Sequence, residues 1–179
     1  GAKPGDVILV TGYPGHSAAG LQLLLQSLAS EDHPLVRAYT NPTHRAREGR
    51  AVALTGWATA MIDTSDGFLG DLGHICEESR VGAFLTQEKF PVTDELREAA
   101  SILKKEPRDF FLGDSDDYQL IITCSAKDVE RIRSSIASTY EGPVTEVGEV
   151  AAPEKGLRLL LADGSERSLS AKGWDHFRQ

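Results

Sequence analysis

The stretch Ile62-Asp63-Thr64-Ser65-Asp66-Gly67-Phe68-Leu69-Gly70-Asp71-Leu72 constrains this chain more than any other. It begins at the end of an apolar run, Ala58 to Ile62, that reads as a buried strand. It finishes inside an amphipathic helix, with Phe68, Leu72 and Ile75 at helical spacing. Two carboxylates, Asp63 and Asp66, and the Ser65 hydroxyl fall in the turn between them. Two uses fit these residues. Ser65 or Asp66 can act as the N-cap, with Gly67 opening the helix. An exposed carboxylate pair beside the free N–H groups of a helix start is also a natural seat for Mg²⁺ and a phosphate. The residues alone leave both uses open.

Composition narrows the class. The chain has 179 residues, 40% of them apolar and 26% charged, which is enough for a proper core in one domain. Its net charge of −8 argues against a nucleic-acid partner and against an anionic membrane surface. Phosphorylated small molecules remain open to it if a cation or a local basic group neutralises them. Cys76 and Cys124 both sit in apolar surroundings, which suits buried thiols in a reducing compartment and not a disulfide framework. No apolar run reaches membrane-spanning length and no signal peptide is visible, so a cytoplasmic location is the default. The chain opens at Gly1 without an initiator Met and enters a strand almost at once. It therefore reads as a piece of a longer protein, with another domain upstream.

Around the central stretch the pattern alternates strands and helices. Asp6 to Thr11 is a short β-branched strand. Gly12, Gly15 and Gly20 bracket a loop that leads into a helix with Ser17 as cap and Leu21, Leu24, Leu25 and Leu28 as its apolar face. A glycine-rich strand-to-helix loop suggests phosphate contact, but it fits neither the dinucleotide fingerprint nor a P-loop. Ala18, Ala19 and Gly20 equally suit close packing of the helix. Residues 33–53 read as a solvated connection with a short helix from Glu48 to Leu54, in which one arginine could reach a phosphate. Strands are expected over Val81–Leu85, Tyr118–Cys124 and Thr145–Val150. Helices are expected over Thr93–Lys105 and Ala126–Tyr140, capped by Thr93 and Ser125. An Asp-Gly hairpin joins Leu157–Leu161 to Ser165–Leu169. A second acidic knot, Asp114-Ser115-Asp116-Asp117, places three carboxylates in four positions immediately before a strand. Such crowding is costly without a cation or another stabilising partner. Near the end, Trp174 in Gly173-Trp174-Asp175-His176-Phe177 suits either a docking anchor or a stacking platform for an aromatic ligand.

Five of these segments together carry a family resemblance. They are Gly5 to Gly12, Gly15 to Leu21, Ala60 to Gly67, Asp117 to Leu120, and Gly173 to Phe177. In order and spacing they resemble the C-terminal domain of the aminoimidazole-ribonucleotide (AIR) synthetase superfamily, and within it most closely the thiamine-monophosphate kinases. The resemblance covers essentially the whole chain, 1–179, as one such domain. It implies an α+β fold, a mixed β-sheet with helices packed against it. It also implies direct phosphoryl transfer from ATP to a substrate phosphate, with several Mg²⁺ ions and no covalent nucleophile. Carried over residue by residue, Asp63 and Asp66 would bind Mg²⁺ and Ser65 would contact ATP. Asp116 would contact the phosphorylated small-molecule substrate, and Trp174 would stack on it. The family's upstream domain supplies most ATP and Mg²⁺ ligands and forms the homodimer, so both are expected of a full-length protein.

Five positions depart from the family's pattern. His16 stands where the family usually has Asp. Asp114-Ser115-Asp116 stands in place of Gly-Gly-Glu, and Gln119 in place of Glu. The shortened Asp116 and the lost glycines fall on the substrate side of the implied site. Two alternatives follow. One is another ATP-dependent activity of the superfamily, such as a purine cyclo-ligase. The other is a non-catalytic module that binds a phosphorylated ligand or dimerises.

Overall fold

The structure, a computed structural model, describes residues 1–170. Seven strands form one sheet: β1 (Val7–Thr11), β2 (Ala58–Asp63), β3 (Gly82–Thr86), β4 (Leu120–Cys124), β5 (Val144–Ala151), β6 (Leu157–Leu160) and β7 (Glu166–Leu169). Their order across the sheet is β2-β4-β1-β5-β3-β6-β7. All neighbours are antiparallel except β3 and β6, which run parallel. The sheet is therefore mixed, and the fold is the α+β arrangement that the resemblance implied.

The apolar run at Val7–Val10 has a simple cause. β1 is central, and successive side chains point to opposite faces. Val7 and Leu9 join Leu120, Ile122, Cys124, Val52 and Ile132 on one face. That face is covered by α3 (Ala46–Thr55) and α7 (Val129–Ile136). Ile8 and Val10 join Ile121, Val147, Phe68, Leu72 and Ile75 on the other, under α4 (Phe68–Ser79). Phe111 seals this second layer, stacked on Phe90 at 4.0 Å and tilted against Phe68 at 4.5 Å. Both cysteines are free and buried, as expected.

A third cluster lies beside the sheet. It joins α1 (His16–Leu25), α2 (Pro34–Thr40), α5 (Asp94–Ile102) and α6 (Pro107–Leu112) through Ala19, Leu23, Leu35, Leu96 and Phe110. The leucine stripe expected for α1 is not its buried face. Leu25 is 74% exposed, and the helix packs through Ser17, Ala19, Gly20 and Leu23. Small residues win because α2 lies almost in contact with the backbone there, and a methyl group on Gly20 would run into the Leu35 carbonyl.

α2 itself falls in the segment expected to be a solvated connection. Its local signal is His33-Pro34: the His33 ring nitrogen accepts from Leu35 N–H at 3.2 Å, and Pro34 occupies the first turn. The strand at Ala58–Asp63 was expected to be buried, but it is an edge strand, half-exposed along its length. The helix expected over Ala126–Tyr140 is shorter, with a 3₁₀ turn at Ala126–Asp128 and no side-chain cap from Ser125. Thr93 caps α5 as expected, its hydroxyl accepting from Leu96 N–H at 3.3 Å. The Asp-Gly hairpin joins β6 to β7.

Gly20→Ala is expected to lower unfolding stability by about 1–3 kcal/mol, because neither helix backbone can withdraw without opening the third cluster. Urea denaturation of the two proteins measures it. Equal midpoints would show that α1 and α2 are not held at this distance.

Candidate functional site

The site is assembled from three loops that the sequence keeps far apart. The first is the β1–α1 loop. Asp117, buried, accepts from Gly15 N–H at 2.5 Å, from Ser17 N–H at 2.9 Å and from the Ser115 hydroxyl at 2.6 Å. Ser115 in turn accepts from Ala18 N–H at 3.2 Å. A helix start has free N–H groups that need an acceptor. Here the chain's own carboxylate fills that place. Gly15, not Ser17, is the N-cap, and the glycine loop does not offer these amides to a ligand phosphate. Burial raises the Asp117 pKa while its three donors oppose the rise.

The second and third loops are the opening stretch and the acidic knot. They are laced together by buried Thr64. Its N–H donates to the Gln119 carbonyl at 2.8 Å, its carbonyl accepts from Tyr118 N–H at 2.9 Å, and its hydroxyl accepts from Gln119 N–H at 3.0 Å. Gly67, at φ 99°, is the N-cap of α4, and neither Ser65 nor Asp66 caps it. A side chain on Gly67 would meet the Gly113 carbonyl and the Asp114 Cα, so the glycine lets the two acidic segments touch. Asp71, buried in the first turn of α4, accepts from Asp66 N–H at 3.0 Å and fixes the turn. Burial raises its pKa above the usual carboxylate value. Tyr118 takes a left-handed conformation at φ 50°, a strained geometry for a bulky side chain, at the point where the chain leaves the knot for β4.

The result is a pocket of about 350 Å³ lined by Ser17, Ser65, Asp66, Asp114, Ser115 and Asp116, with Ala18, Leu21 and Tyr39 as its apolar wall. Three expected site residues, Ser65, Asp66 and Asp116, thus meet in one place. Asp63 does not line that pocket. It is exposed at the end of β2 and faces a separate depression with Arg45, Arg50 and Tyr118. Trp174 lies outside the described residues. Among the described residues, one group of three potential metal ligands stands together: Asp66, Asp71 and His74, with ligand atoms within 4.8 Å of one another. Carboxylate oxygens with a nearby hydroxyl form a hard donor set of the kind Mg²⁺ prefers, so the pocket residues fit that ion. Three supports had no local sequence signal. All three are polar or charged and buried; Asp117 and Thr64 depend on partners 55 to 102 positions away, and Asp71 on Asp66, five positions away.

Residues 3–159 match the family of AIR synthase related proteins, C-terminal domain. The chain belongs to this family. Thiamine-monophosphate kinase of Escherichia coli strain K12 is 36% identical over 182 residues, which cover 99% of this chain and 54% of that protein. The solved thiamine-monophosphate kinase of Stenotrophomonas maltophilia K279a superposes at TM-score 0.78 with 31% identity, over 92% of this chain and 52% of that one. AaThiL, solved in complex with AMPPCP and TMP, superposes at TM-score 0.76 with 31% identity, over 99% and 53%. The chain spans about half the length of the relatives it matches.

Within this AIR synthase-related domain, His16 has a well-defined setting. Its ring stacks on Tyr13 at 5.1 Å and shares a hydrogen bond of 3.1 Å with the Thr93 hydroxyl. Burial lowers its pKa from 6.5 to about 4, against a smaller opposite pull from Glu95. The imidazole is therefore neutral at pH 7, where a carboxylate in its place would be charged. Among the described residues no helix is long and apolar enough to cross a membrane.

The His16 shift has a definite sign. Between pH 6.5 and pH 4 the unfolded chain binds a proton that the folded chain does not, so this contribution to stability is full above about pH 6.5 and is lost as pH falls toward 4. The wild-type protein is expected to lose on the order of 2–3 kcal/mol more than His16→Gln across that window. Thermal denaturation of both proteins from pH 7.5 to 4.5 checks it. Parallel curves would contradict a neutral, half-buried His16.

Proposed function

We propose that this chain is the substrate-side domain of an ATP- and Mg²⁺-dependent phosphotransferase that converts thiamine phosphate to thiamine diphosphate. The observation that carries the reading is the meeting of Ser65, Asp66 and Asp116 in one pocket, in a chain whose relatives over its full length are thiamine-monophosphate kinases. One solved relative, AaThiL, binds AMPPCP and TMP.

Phosphoryl transfer asks for positioning and charge neutralisation more than for a nucleophilic side chain. The chain is suited to that demand. Its two thiols are buried and pushed up to about 11, so neither serves as a nucleophile. Ser65 would donate to a nucleotide phosphate oxygen. Asp116, across the pocket, would hold the acceptor, and Trp174 would stack on its ring. Asp66 at the pocket and Asp63 in the separate depression at the end of β2 would each hold Mg²⁺, which supplies the positive charge that these carboxylates need before a polyphosphate can approach. The upstream domain expected of a full-length protein would complete the nucleotide side and form a homodimer, so the chain by itself is expected to turn over no ATP.

A second reading has a specific observation behind it. His16 is neutral and half-buried, and Asp114-Ser115-Asp116 stands in place of the family's Gly-Gly-Glu, so the domain could bind a phosphorylated ligand without catalysing transfer.

Formation of thiamine diphosphate by the intact protein separates the two readings. Asp66→Asn is expected to lower kcat by about 100-fold or more. Asp116→Ala is expected to raise KM for thiamine phosphate by roughly tenfold and to leave KM for ATP unchanged. Full activity in Asp66→Asn would remove the catalytic role. No product from the wild type, together with tight thiamine phosphate binding, would favour the binding module.

A further inference from the structure

A cleft of about 700 Å³ begins at the β1–α1 loop, where Gly12 and Tyr13 line it. His16 lines the cleft while Ser17 and Ala18 line the pocket. At its floor is Arg45, a half-buried side chain held in an unusual way. Its Nε donates to Gln119 Oε1 at 3.0 Å, and its guanidinium lies 4.6 Å over the centre of the Tyr140 ring. Gln119 is itself fixed: its Oε1 also accepts from the Thr11 hydroxyl at 3.0 Å, and its Nε2 donates to the Asp117 carbonyl at 3.3 Å. Gly12, at φ 61°, leaves room for that amide where any side chain would clash with it.

Every partner holding Arg45 is neutral. None of the ion pairs among the described residues involves it. A guanidinium withdrawn from water without a carboxylate is costly, and the natural complement of its fork is a two-oxygen anion. Nε is spent on Gln119, so the two terminal nitrogens are the donors left for a ligand. The rim adds neutral donors, the hydroxyls of Thr43 and Ser138 and the amide of Asn41, and also Arg37, which is already paired with Asp32 at 2.6 Å. Two carboxylates also line the cleft. Asp117 has both oxygens occupied by its three donors, and Glu141 is on the exposed rim.

We propose that this cleft is a binding site for a phosphate-bearing small molecule, with Arg45 as its anchor. Tyr140 and Gln119 orient the fork in advance, which lowers the ordering cost of binding. The stacked Tyr13–His16 pair provides a flat wall beside it, and the volume exceeds what an inorganic ion needs. The proposal is separate from the phosphotransfer reading and does not require it.

The test is titration calorimetry on the intact protein in EDTA. Without a divalent cation the Asp66–Asp116 pocket repels phosphate, while the cleft offers it the Arg45 guanidinium; the Arg45 variants separate this site from the other basic residues of the surface. Inorganic phosphate and phenyl phosphate are the probes. The wild type is expected to bind phosphate, Arg45→Ala to weaken it by roughly tenfold or more, and Arg45→Lys to recover only part of the loss, since a point charge cannot present the fork. Asp116→Ala is expected to bind like the wild type. Phenyl phosphate binding more tightly would identify the phosphate as part of a larger ring-bearing molecule, and equal affinity would identify the free ion. Both results support the site. No binding by the wild type at about 10 mM, or equal affinity in Arg45→Ala, would overturn it.

Discussion

The carboxylate of Asp117 holds the architecture of the site. Three donors converge on it, two backbone amides at the start of α1 and one serine hydroxyl of its own loop. A hydrogen bond to a charged acceptor contributes about 1.5–3 kcal/mol, and a buried carboxylate without such bonds would be strongly destabilising. The cost of burying this charge and the need of the helix start for an acceptor cancel each other. In consequence the β1–α1 loop is fixed against the acidic knot. The start of α1 then borders both cavities, with Ser17 and Ala18 in the acidic pocket and His16 in the Arg45 cleft.

The two acidic segments meet for a related reason. Thr64 bonds both ways to the backbone at Tyr118 and Gln119, and so extends the β2–β4 pairing past its last regular pair, Asp63 with Leu120. Gly67 removes the side chain that would keep the segments apart. Exposed Asp114 and Asp116 can then crowd near Asp66 because solvent, and any cation, can reach them.

Much of the fold was legible in the sequence because its signals are local. The β-branched apolar run at Val7–Thr11, the Asp-Gly turn and the Thr93 cap each depend on a few neighbouring residues. The errors came where distant groups decide. Leu25 fits a helical stripe, but the approach of α2 gives the buried face of α1 to Ala19, Gly20 and Leu23. Ser17, Ser65 and Asp66 are good caps by type, yet Gly15 and Gly67 hold the cap positions, with Asp117 taking the α1 amides and no side chain capping α4. α2 was missed although His33-Pro34 is a local signal, because the charged residues around it resemble a solvated loop. In the site, Ser65, Asp66 and Asp116 came from family resemblance and share a pocket. The supports Asp117 and Thr64 could be recognised only once strand pairing had brought their partners together.

The account makes the acidic pocket depend on a clamp that does not line it. The most direct measurement is calorimetric binding of thiamine phosphate to the intact protein with Mg²⁺ and AMPPCP, in the wild type and in Asp117→Asn. An asparagine turns an N–H₂ group toward donors and so opens the clamp without changing any pocket-lining residue. The account predicts saturable binding by the wild type and a loss of roughly tenfold or more in a variant that circular dichroism shows to be folded. Equal affinity in the two proteins would contradict it.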